Sequence, residues 1–419
     1  MSSPISTDAC YESVRYAYTL NQAIQRIIEV ITPITESESI ALQDALGRVS
    51  ATAMQAEFPL PPFRNSAMDG YAVRSIDLAV SDRTTFRIAG VSYAGHPFLE
   101  DIRPGECVRI FTGAPVPELL DTVIMQEHVE VAQDMIEVIH SPTAGANVRP
   151  AGDDAPAGTR LVEAGKRLTP ADLGLLASAG HTHVKVVRKL RVAHLSTGDE
   201  LTALGEDLSF GQIYDSNRYL LRSLLAQGFL EPRDFGIVRD DPAKLSRALR
   251  EAADWADIVL SSGGVSVGEA DFIPKVLGQL GRIDFWKIAF KPGKPFAFGQ
   301  IGNAWFCGLP GNPVAVLVTF LQLVRPALLR LAGVPHRSPI RLQATSRNAL
   351  KKTAGRMEFQ RGFFTSGANG QLEVVSCGAQ GSHRLTGASQ ANCLIVLTAD
   401  CTGVFAGDPV EIEPLLETW

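Results

Sequence analysis

Apolar residues recur at Leu20, Ala23, Ile24, Ile27 and Ile31, the spacing of one helix face, and Pro33 closes the run. The pattern predicts a helix from Leu20 to about Ile31, behind some fifteen polar residues. From Ile40 to Phe58 no single period holds, and Pro59-Leu60-Pro61-Pro62 is a stiff extended connector that marks a boundary. Between Phe63 and Asp154 short apolar runs (Phe86 to Ala89, Glu106 to Phe111, Thr122 to Gln126, Met135 to Ile139) alternate with turn residues, which predicts a small β domain. A second helix starts at Thr169-Pro170-Ala171-Asp172, with Thr169 as cap, and stops at Gly180. The β domain reads as an insertion between these two helices, which are expected to pack together.

From Lys189 the rhythm becomes strand, loop, helix. Strands are predicted at Leu190 to Leu195, Phe235 to Val238, Asp257 to Ser261, Phe285 to Phe290 and Ala304 to Cys307. Helices are predicted from Asp215-Ser216-Asn217 to Gly228, from Asp240-Asp241-Pro242 to Asp254, from Asp271 to Leu280 and from Pro313 to Leu331. Alternation of this kind implies a doubly wound, mostly parallel sheet whose ligands sit at the C-terminal strand ends. After Pro335 short strands return at Ile340 to Ala344, Met357 to Phe364, Leu372 to Val375, Cys393 to Leu397 and Val410 to Ile412. The expected partition is a discontinuous segment (1–58 and 155–188), an inserted β domain (59–154), an α/β domain (189–335) and a C-terminal β domain (336–419).

Composition narrows the function. With 39 basic and 45 acidic residues the net charge is −6, so nucleic acid and anionic membrane are poor partners, and any anion site must be built locally. The six cysteines form no C-x-x-C pair, which excludes a zinc knuckle or thioredoxin-type motif and suits buried thiols in a reducing compartment. The N-terminus shows no basic region followed by an apolar run, and no stretch approaches the ~20 apolar residues of a bilayer span. The expected location is the cytoplasm.

Candidate chemistry lies in the loops of the α/β domain. Ser261-Ser262-Gly263-Gly264-Val265-Ser266-Val267-Gly268 follows a strand and lacks both the Walker lysine and the dinucleotide fingerprint. It is either a tight structural turn or an anion cradle. Gly308-Leu309-Pro310-Gly311-Asn312-Pro313 enters a helix N-terminus, where anions bind, or is a packed loop. Lys287, Lys291 and Lys294, stiffened by Pro292 and Pro295, are surface lysines or clamps for an oxyanion. Glu200, Asp240 and Asp271 stand at matching strand ends, as caps or as ligands of a divalent cation that also binds phosphate. A bare acidic cluster would repel an anionic substrate, so the two readings together require a cation.

These motifs, with Asn65-Ser66-Ala67-Met68-Asp69-Gly70-Tyr71-Ala72, Thr112-Gly113-Ala114-Pro115, Ser196-Thr197-Gly198-Asp199-Glu200-Leu201 and Lys291-Pro292-Gly293-Lys294-Pro295, resemble the MoeA family of molybdopterin molybdenumtransferases, to which the C-terminal domain of gephyrin is related. The resemblance runs from about Leu20 to the C-terminus. It implies an α/β multidomain chain: a split N-terminal α+β segment, an inserted β domain, a molybdopterin-binding-like α/β domain and a C-terminal β-barrel. It implies a homodimer with its cleft between subunits, with adenylylated molybdopterin and molybdate as substrates, AMP as leaving group and Mg2+ as cation. Contact with the adenylyltransferase that makes the substrate, and with downstream cofactor-handling proteins, is also implied.

Carried over by position, Asp69, Asp154, Glu200, Asp240, Asp271, Lys287 and Lys291 match cleft acids and lysines of the family, with Asp153 as the alternative to Asp154. Asp240 and Asp271 are assigned to the cation. Thr112, Ser262, Gly263, Gly264, Lys294, Pro310, Gly311 and Asn312 are assigned to substrate binding, and Asp69 would act across the dimer. Two other functions compete: a molybdopterin adenylyltransferase, and a gephyrin-like peptide-binding scaffold.

Overall fold

The computed structural model describes residues 18–78, 84–265, 273–368 and 370–415. Its centre is a six-stranded sheet. Leu230–Val238, Leu190–Thr197, Ile258–Ser262 and Ala304–Leu309 run parallel in that order, and Pro295–Ile301 and Gly281–Lys287 complete one edge antiparallel. Alternate side chains feed two cores, as strand pleating requires. Val192, Ile258 and Leu260 join the core that also holds Leu221, Phe320 and Leu328. Ala193, Leu195 and Val259 join the core of Leu245, Leu249, Ile273 and Val276 on the other face. The sheet is therefore mostly parallel and doubly wound, as the alternating pattern predicts.

Helix Pro313–Leu331 spans 19 residues and is apolar enough to cross a membrane by length and composition alone, yet two-thirds of it is buried inside the protein. Its middle turn, Phe320–Val324, is π-helical. Pro326 supplies the reason: it cannot donate to the carbonyl four residues back, and the wider turn just before it absorbs the misfit.

The inserted region forms a second six-stranded sheet, ordered Thr122–Met125, Gly70–Val73, Glu106–Ile110, Thr85–Ser92, Met135–Val138, Val129–Ala132. Strands on either side of it in sequence pair with each other: Ser37–Ala41 with His183–Val187, and Met54–Gln55 with Arg160–Val162. At the C-terminus Leu342–Ser346, Leu372–Ser376, Met357–Ser366, Cys393–Leu397 and Pro409–Pro414 close into a five-stranded barrel, the last strand pairing back onto the first.

Three sequence expectations need correction. The helices Leu20–Val30 and Pro170–Ser178 do not pack together. The first buries Leu20, Ala23 and Ile27 against the Pro313–Leu331 helix, while Leu176 of the second packs with Met54, Val162 and Val184. An apolar stripe shows that a helix needs a partner, not which one. Here the choice is fixed by Arg330, whose Nε donates to the carbonyls of Ile28 and Ile31 at 3.0 and 3.1 Å, and by the Arg26–Asp284 ion pair at 2.8 Å.

The expected strand Phe285 to Phe290 is instead Gly281–Lys287, followed by a separate two-residue strand, Phe290–Lys291, that pairs with the barrel strand at Met357 and Glu358. Strand Pro295–Ile301 was not expected, because the Pro292-Gly293-Lys294-Pro295 punctuation at its start reads as loop. The predicted helix start at Asp271 lies outside the described residues, and the helix is described over Ile273–Leu280.

Candidate active site

A cleft of about 1460 Å³ opens between the α/β domain and the C-terminal barrel of the same chain. Its floor is made by loops that leave the C-terminal ends of adjacent parallel strands. The Gly263 amide donates to the Leu309 carbonyl at 3.1 Å, and Asn217 Nδ2 donates to the Gly311 carbonyl at 2.7 Å, so the two glycine loops lie side by side. Ser262 Oγ donates to Ser196 Oγ at 3.1 Å beneath them. Gly263 has φ +90°, and a Cβ there would sit 2.5 Å from the Thr197 carbonyl oxygen. No other residue type fits that turn without moving backbone. Thr197 Oγ1, Asp215 Oδ2 and Asn217 Oδ1 belong to residues lining this floor and are buried with no hydrogen-bond partner among the described residues. Unpaired buried polar atoms are expensive, and a polar ligand in the cleft is one way to answer them.

One wall is the Lys291–Pro295 loop, where Lys291 and Lys294 are exposed and line the cleft. Lys291 Nζ pairs with the buried Glu358 of the barrel at 3.3 Å, and Gln360 Nε2 donates to the same carboxylate at 3.1 Å. The opposite wall comes from the barrel: Lys351, Arg356, Glu358, Gln380, Ser382 and His383. Lys294, Lys351 and Arg356 form no ion pair with any described residue, so their charge is directed at whatever enters. The sequence reading missed this wall entirely. The only signal was the basic turn Lys351 to Arg356, which as a pattern looks like any solvated loop.

The structure brings Glu200, Ser262, Gly263, Lys291, Lys294, Pro310, Gly311 and Asn312 together on this cleft. Gly264 lies under it, its Cβ position 2.8 Å from Thr197 Oγ1. Lys287 and Asp240 flank the cleft without lining it. Lys287 ends its strand, with its carbonyl accepting from Tyr18 N–H at 3.2 Å. Asp240 follows strand Leu230–Val238; its amide donates to Asp199 Oδ1 at 3.2 Å, and Arg239 Nη1 donates to the Asp199 carbonyl at 2.6 Å. Those bonds lock together the loops of two neighbouring parallel strands. Asp271 lies outside the described residues.

Asp69 and Thr112 are elsewhere, in the inserted domain. Asp69 Oδ1 accepts from the Thr112 amide at 2.7 Å and the Thr112 hydroxyl at 2.8 Å. These two donors, aided by the charge of Arg109, hold the Asp69 carboxyl below its ordinary range. Asp154 is exposed where the chain leaves the inserted domain, its amide bonded to the Leu60 carbonyl at 3.0 Å, and Asp153 is exposed beside it.

Among the described residues no three His, Cys, Asp or Glu converge on one point. A closed protein cage for a cation is therefore absent there. What the strand ends offer is a set of hard carboxylate oxygens, Asp199, Glu200 and Asp240, on two interlocked loops. That donor set fits magnesium, which takes one or two carboxylates and leaves its other positions to water and substrate phosphates.

Doubly wound sheet, glycine loops and unpaired cations define an enzyme that handles a polyanionic ligand at the C-terminal strand ends. Comparison with known proteins sharpens this. Residues 18–180 match the MoeA N-terminal region (domains I and II), 193–330 a probable molybdopterin-binding domain, and 343–415 the MoeA C-terminal region (domain IV). The molybdopterin molybdenumtransferase of Haemophilus influenzae is 47% identical over 398 residues, covering 94% of this chain and 98% of that protein. The enzyme of the same name from Nostoc is 37% identical, covering 90% and 88%. A solved molybdopterin biosynthesis MoeA protein from Pyrococcus horikoshii superposes with a TM-score of 0.82 at 27% identity, over 95% of this chain and all of that one. The chain belongs to the MoeA family of molybdopterin molybdenumtransferases, and is a transferase of molybdenum cofactor biosynthesis. The adenylyltransferase and scaffold readings are not favoured: the matched regions extend through the MoeA domains on both sides of the α/β domain, and the curated relatives are named molybdopterin molybdenumtransferase.

Proposed function

We propose that this chain inserts molybdenum from molybdate into adenylylated molybdopterin, with release of AMP. The observation that carries the reading is the pairing, across one cleft, of the Gly263 and Gly311–Asn312 loops with Lys291 and Lys294. Backbone N–H groups and lysines together suit a pyrophosphate, and they are placed where charge builds up as the phosphoanhydride breaks. An oxygen of water or molybdate attacks the phosphoanhydride, AMP leaves with one phosphate while the other stays on the pterin, and the two dithiolene sulfurs displace molybdate oxygens that depart as water or hydroxide. Lys351 and Arg356 on the barrel wall add positive charge for the oxyanion substrate.

Magnesium would be held by Asp240, with Asp199 and Glu200 close by and Asp271 as a further ligand. It would supply charge neutralisation at the phosphates. Glu200, on the cleft, is placed to orient water or the cation, and Lys287 to contribute charge from the flank.

The working unit is a homodimer. Asp69, Thr112 and Asp154 sit in or beside the inserted sheet, away from the Lys291 cleft of their own chain, and a second copy can bring them to it. The five cysteines among the described residues are all free, four of them buried, which supports a reducing cytoplasmic setting. The adenylyltransferase that supplies the substrate and proteins that receive the product are further partners.

The test is AMP release by the purified chain supplied with adenylylated molybdopterin and magnesium, with and without molybdate. Molybdate-dependent release that falls at least about tenfold in Lys291→Gln supports the reading. Release indifferent to both molybdate and Lys291 refutes it.

A further inference from the structure

Arg109 has no place in the mechanism above, yet its surroundings are built around it. Its guanidinium lies 4.8 Å from the Tyr71 ring centroid and 4.8 Å from that of Phe111, one ring for each contact. Tyr93 stacks on Phe111 at 5.0 Å with planes 8° apart. Cation–π contact with two rings fixes the plane of the guanidinium, and with it the direction of its N–H donors. Those donors have two targets. Nη1 donates to the Gly70 carbonyl at 3.1 Å and Nη2 to Gln126 Oε1 at 2.7 Å. The backbone N–H of Gln126 donates to the Asp69 carbonyl at 3.1 Å. Phe111, the ring in contact with Arg109, immediately precedes Thr112, whose two donors grip Asp69 Oδ1.

We infer that Arg109 is a positioning residue for Asp69: clamped between Tyr71 and Phe111, it ties Gly70, Gln126 and the Phe111–Thr112 strand end into one frame that holds the Asp69 carboxylate in a single orientation. The inference rests on the proposed role of Asp69 in the cleft of the partner copy. Asp69 itself then needs no hydrogen bond from Arg109, and none is made: its Oδ1 accepts from Thr112, and Oδ2 accepts from no described residue. The charged groups that face Asp69 are Arg109, which lowers its pKa, and Glu127, whose own carboxyl is held below its ordinary range chiefly by hydrogen bonds from its own backbone N–H and from Gln126. Arg109 acts on Asp69 through its charge, a smaller contribution than the two Thr112 donors, so its removal shifts Asp69 modestly upward, towards the ordinary carboxylate range.

The test compares AMP release by wild type, Asp69→Asn, Arg109→Met and Arg109→Lys across pH, with thermal melts for each. Arg109→Met is expected to melt within a few degrees of wild type, to lose about tenfold to 100-fold in kcat with KM little changed, and to move the acid limb of the kcat profile to higher pH. Arg109→Lys, which keeps the charge and loses the planar fork, is expected to lose kcat while the acid limb stays in place. Should Arg109→Met fail to fold, Gln126→Leu carries the same test, because it removes one strut of the frame and leaves the ring clamp. Its expected effect is a smaller loss in kcat. If Asp69→Asn keeps wild-type turnover, the proposed role of Asp69 falls and this inference with it. If Asp69→Asn is inactive while folded Arg109 and Gln126 variants keep wild-type kcat and pH profile, the role of Asp69 stands and the positioning role of Arg109 is overturned.

Discussion

If Asp69 serves the cleft of a second copy, two dead chains should make one live site. The perturbations are Asp69→Asn, which keeps the Oδ1 contact with Thr112 and removes the charge, and Lys291→Gln, which removes the ammonium but leaves an amide able to donate to Glu358. That second choice matters because Glu358 is buried, and without Lys291 it would lose its counter-charge and keep only the Gln360 amide as donor. Each homodimer carries its lesion at both sites and should be inactive. In a heterodimer the arithmetic depends on geometry. If each site draws Lys291 from one chain and Asp69 from the other, one site collects both lesions and its twin collects none. Turnover per dimer then returns to about half of wild type, the value set by two-fold symmetry. If each site is built within one chain, both sites keep one lesion and nothing is restored. Co-expression with two affinity tags and sequential purification isolates the heterodimer, and molybdate-dependent AMP release reads the outcome. A heterodimer as inactive as its parents, or a chain that sediments as a monomer at assay concentration, refutes the reasoning.

Three further outcomes follow from the geometry. Gly263→Ala should cost about 1–3 kcal/mol in stability and depress AMP release, since its Cβ meets the Thr197 carbonyl at 2.5 Å in a turn with φ +90°; an unchanged melting curve would contradict this. Glu413 accepts from Gln322 Nε2 at 2.8 Å in the barrel–helix interface, and burial raises its carboxyl above the ordinary 4.5. Folding therefore favours its protonated form, and its contribution is fully present below pH 4.5 and lost as pH rises through the raised value, so Glu413→Gln should raise Tm at neutral pH and lose that advantage in acid. Asp240→Asn should raise the magnesium concentration needed for half-maximal AMP release while keeping the bond from its backbone N–H to Asp199 Oδ1; an unaltered magnesium titration would remove Asp240 from the cation site.

Local chemistry was the legible part of this sequence. Thr169 and Asp172 do form a capping box, with Asp172 N–H donating to Thr169 Oγ1 at 3.3 Å and Thr169 N–H to Asp172 Oδ2 at 2.9 Å. Asp215 and Asp241 do cap the helices they precede. Such signals act within four residues, so a sequence carries them whole. Long-range choices were not legible. The partner of the Leu20–Val30 helix is settled by Arg330 and Asp284, which lie far along the chain. Strand Pro295–Ile301 was hidden because Phe296, Ala297 and Phe298 are all buried; a strand covered on both faces loses the alternation that would reveal it. The barrel wall was hidden for another reason. Lys351 and Arg356 gain meaning only when the Phe290–Lys291 strand pairs with Met357 and Glu358, and that pairing joins segments more than sixty residues apart.

That last pairing also explains how a protein with net charge −6 gathers cations around one cleft. Ion pairing elsewhere consumes cations: Arg188 with Asp257, Arg218 with Asp234, Arg26 with Asp284. Around the cleft the pattern reverses. Lys291 pairs with Glu358, whose charge is shared with Gln360, while Lys294, Lys351 and Arg356 make no pair with any described residue. A narrow crevice with protein on two sides focuses such charge, so a small local excess outweighs a distant negative surplus that salt screens within ~10 Å. The two-residue strand at Lys291 is therefore more than a tether. By stitching the barrel to the α/β domain it sets cations from both domains around one volume, the arrangement on which the proposed anionic substrate depends.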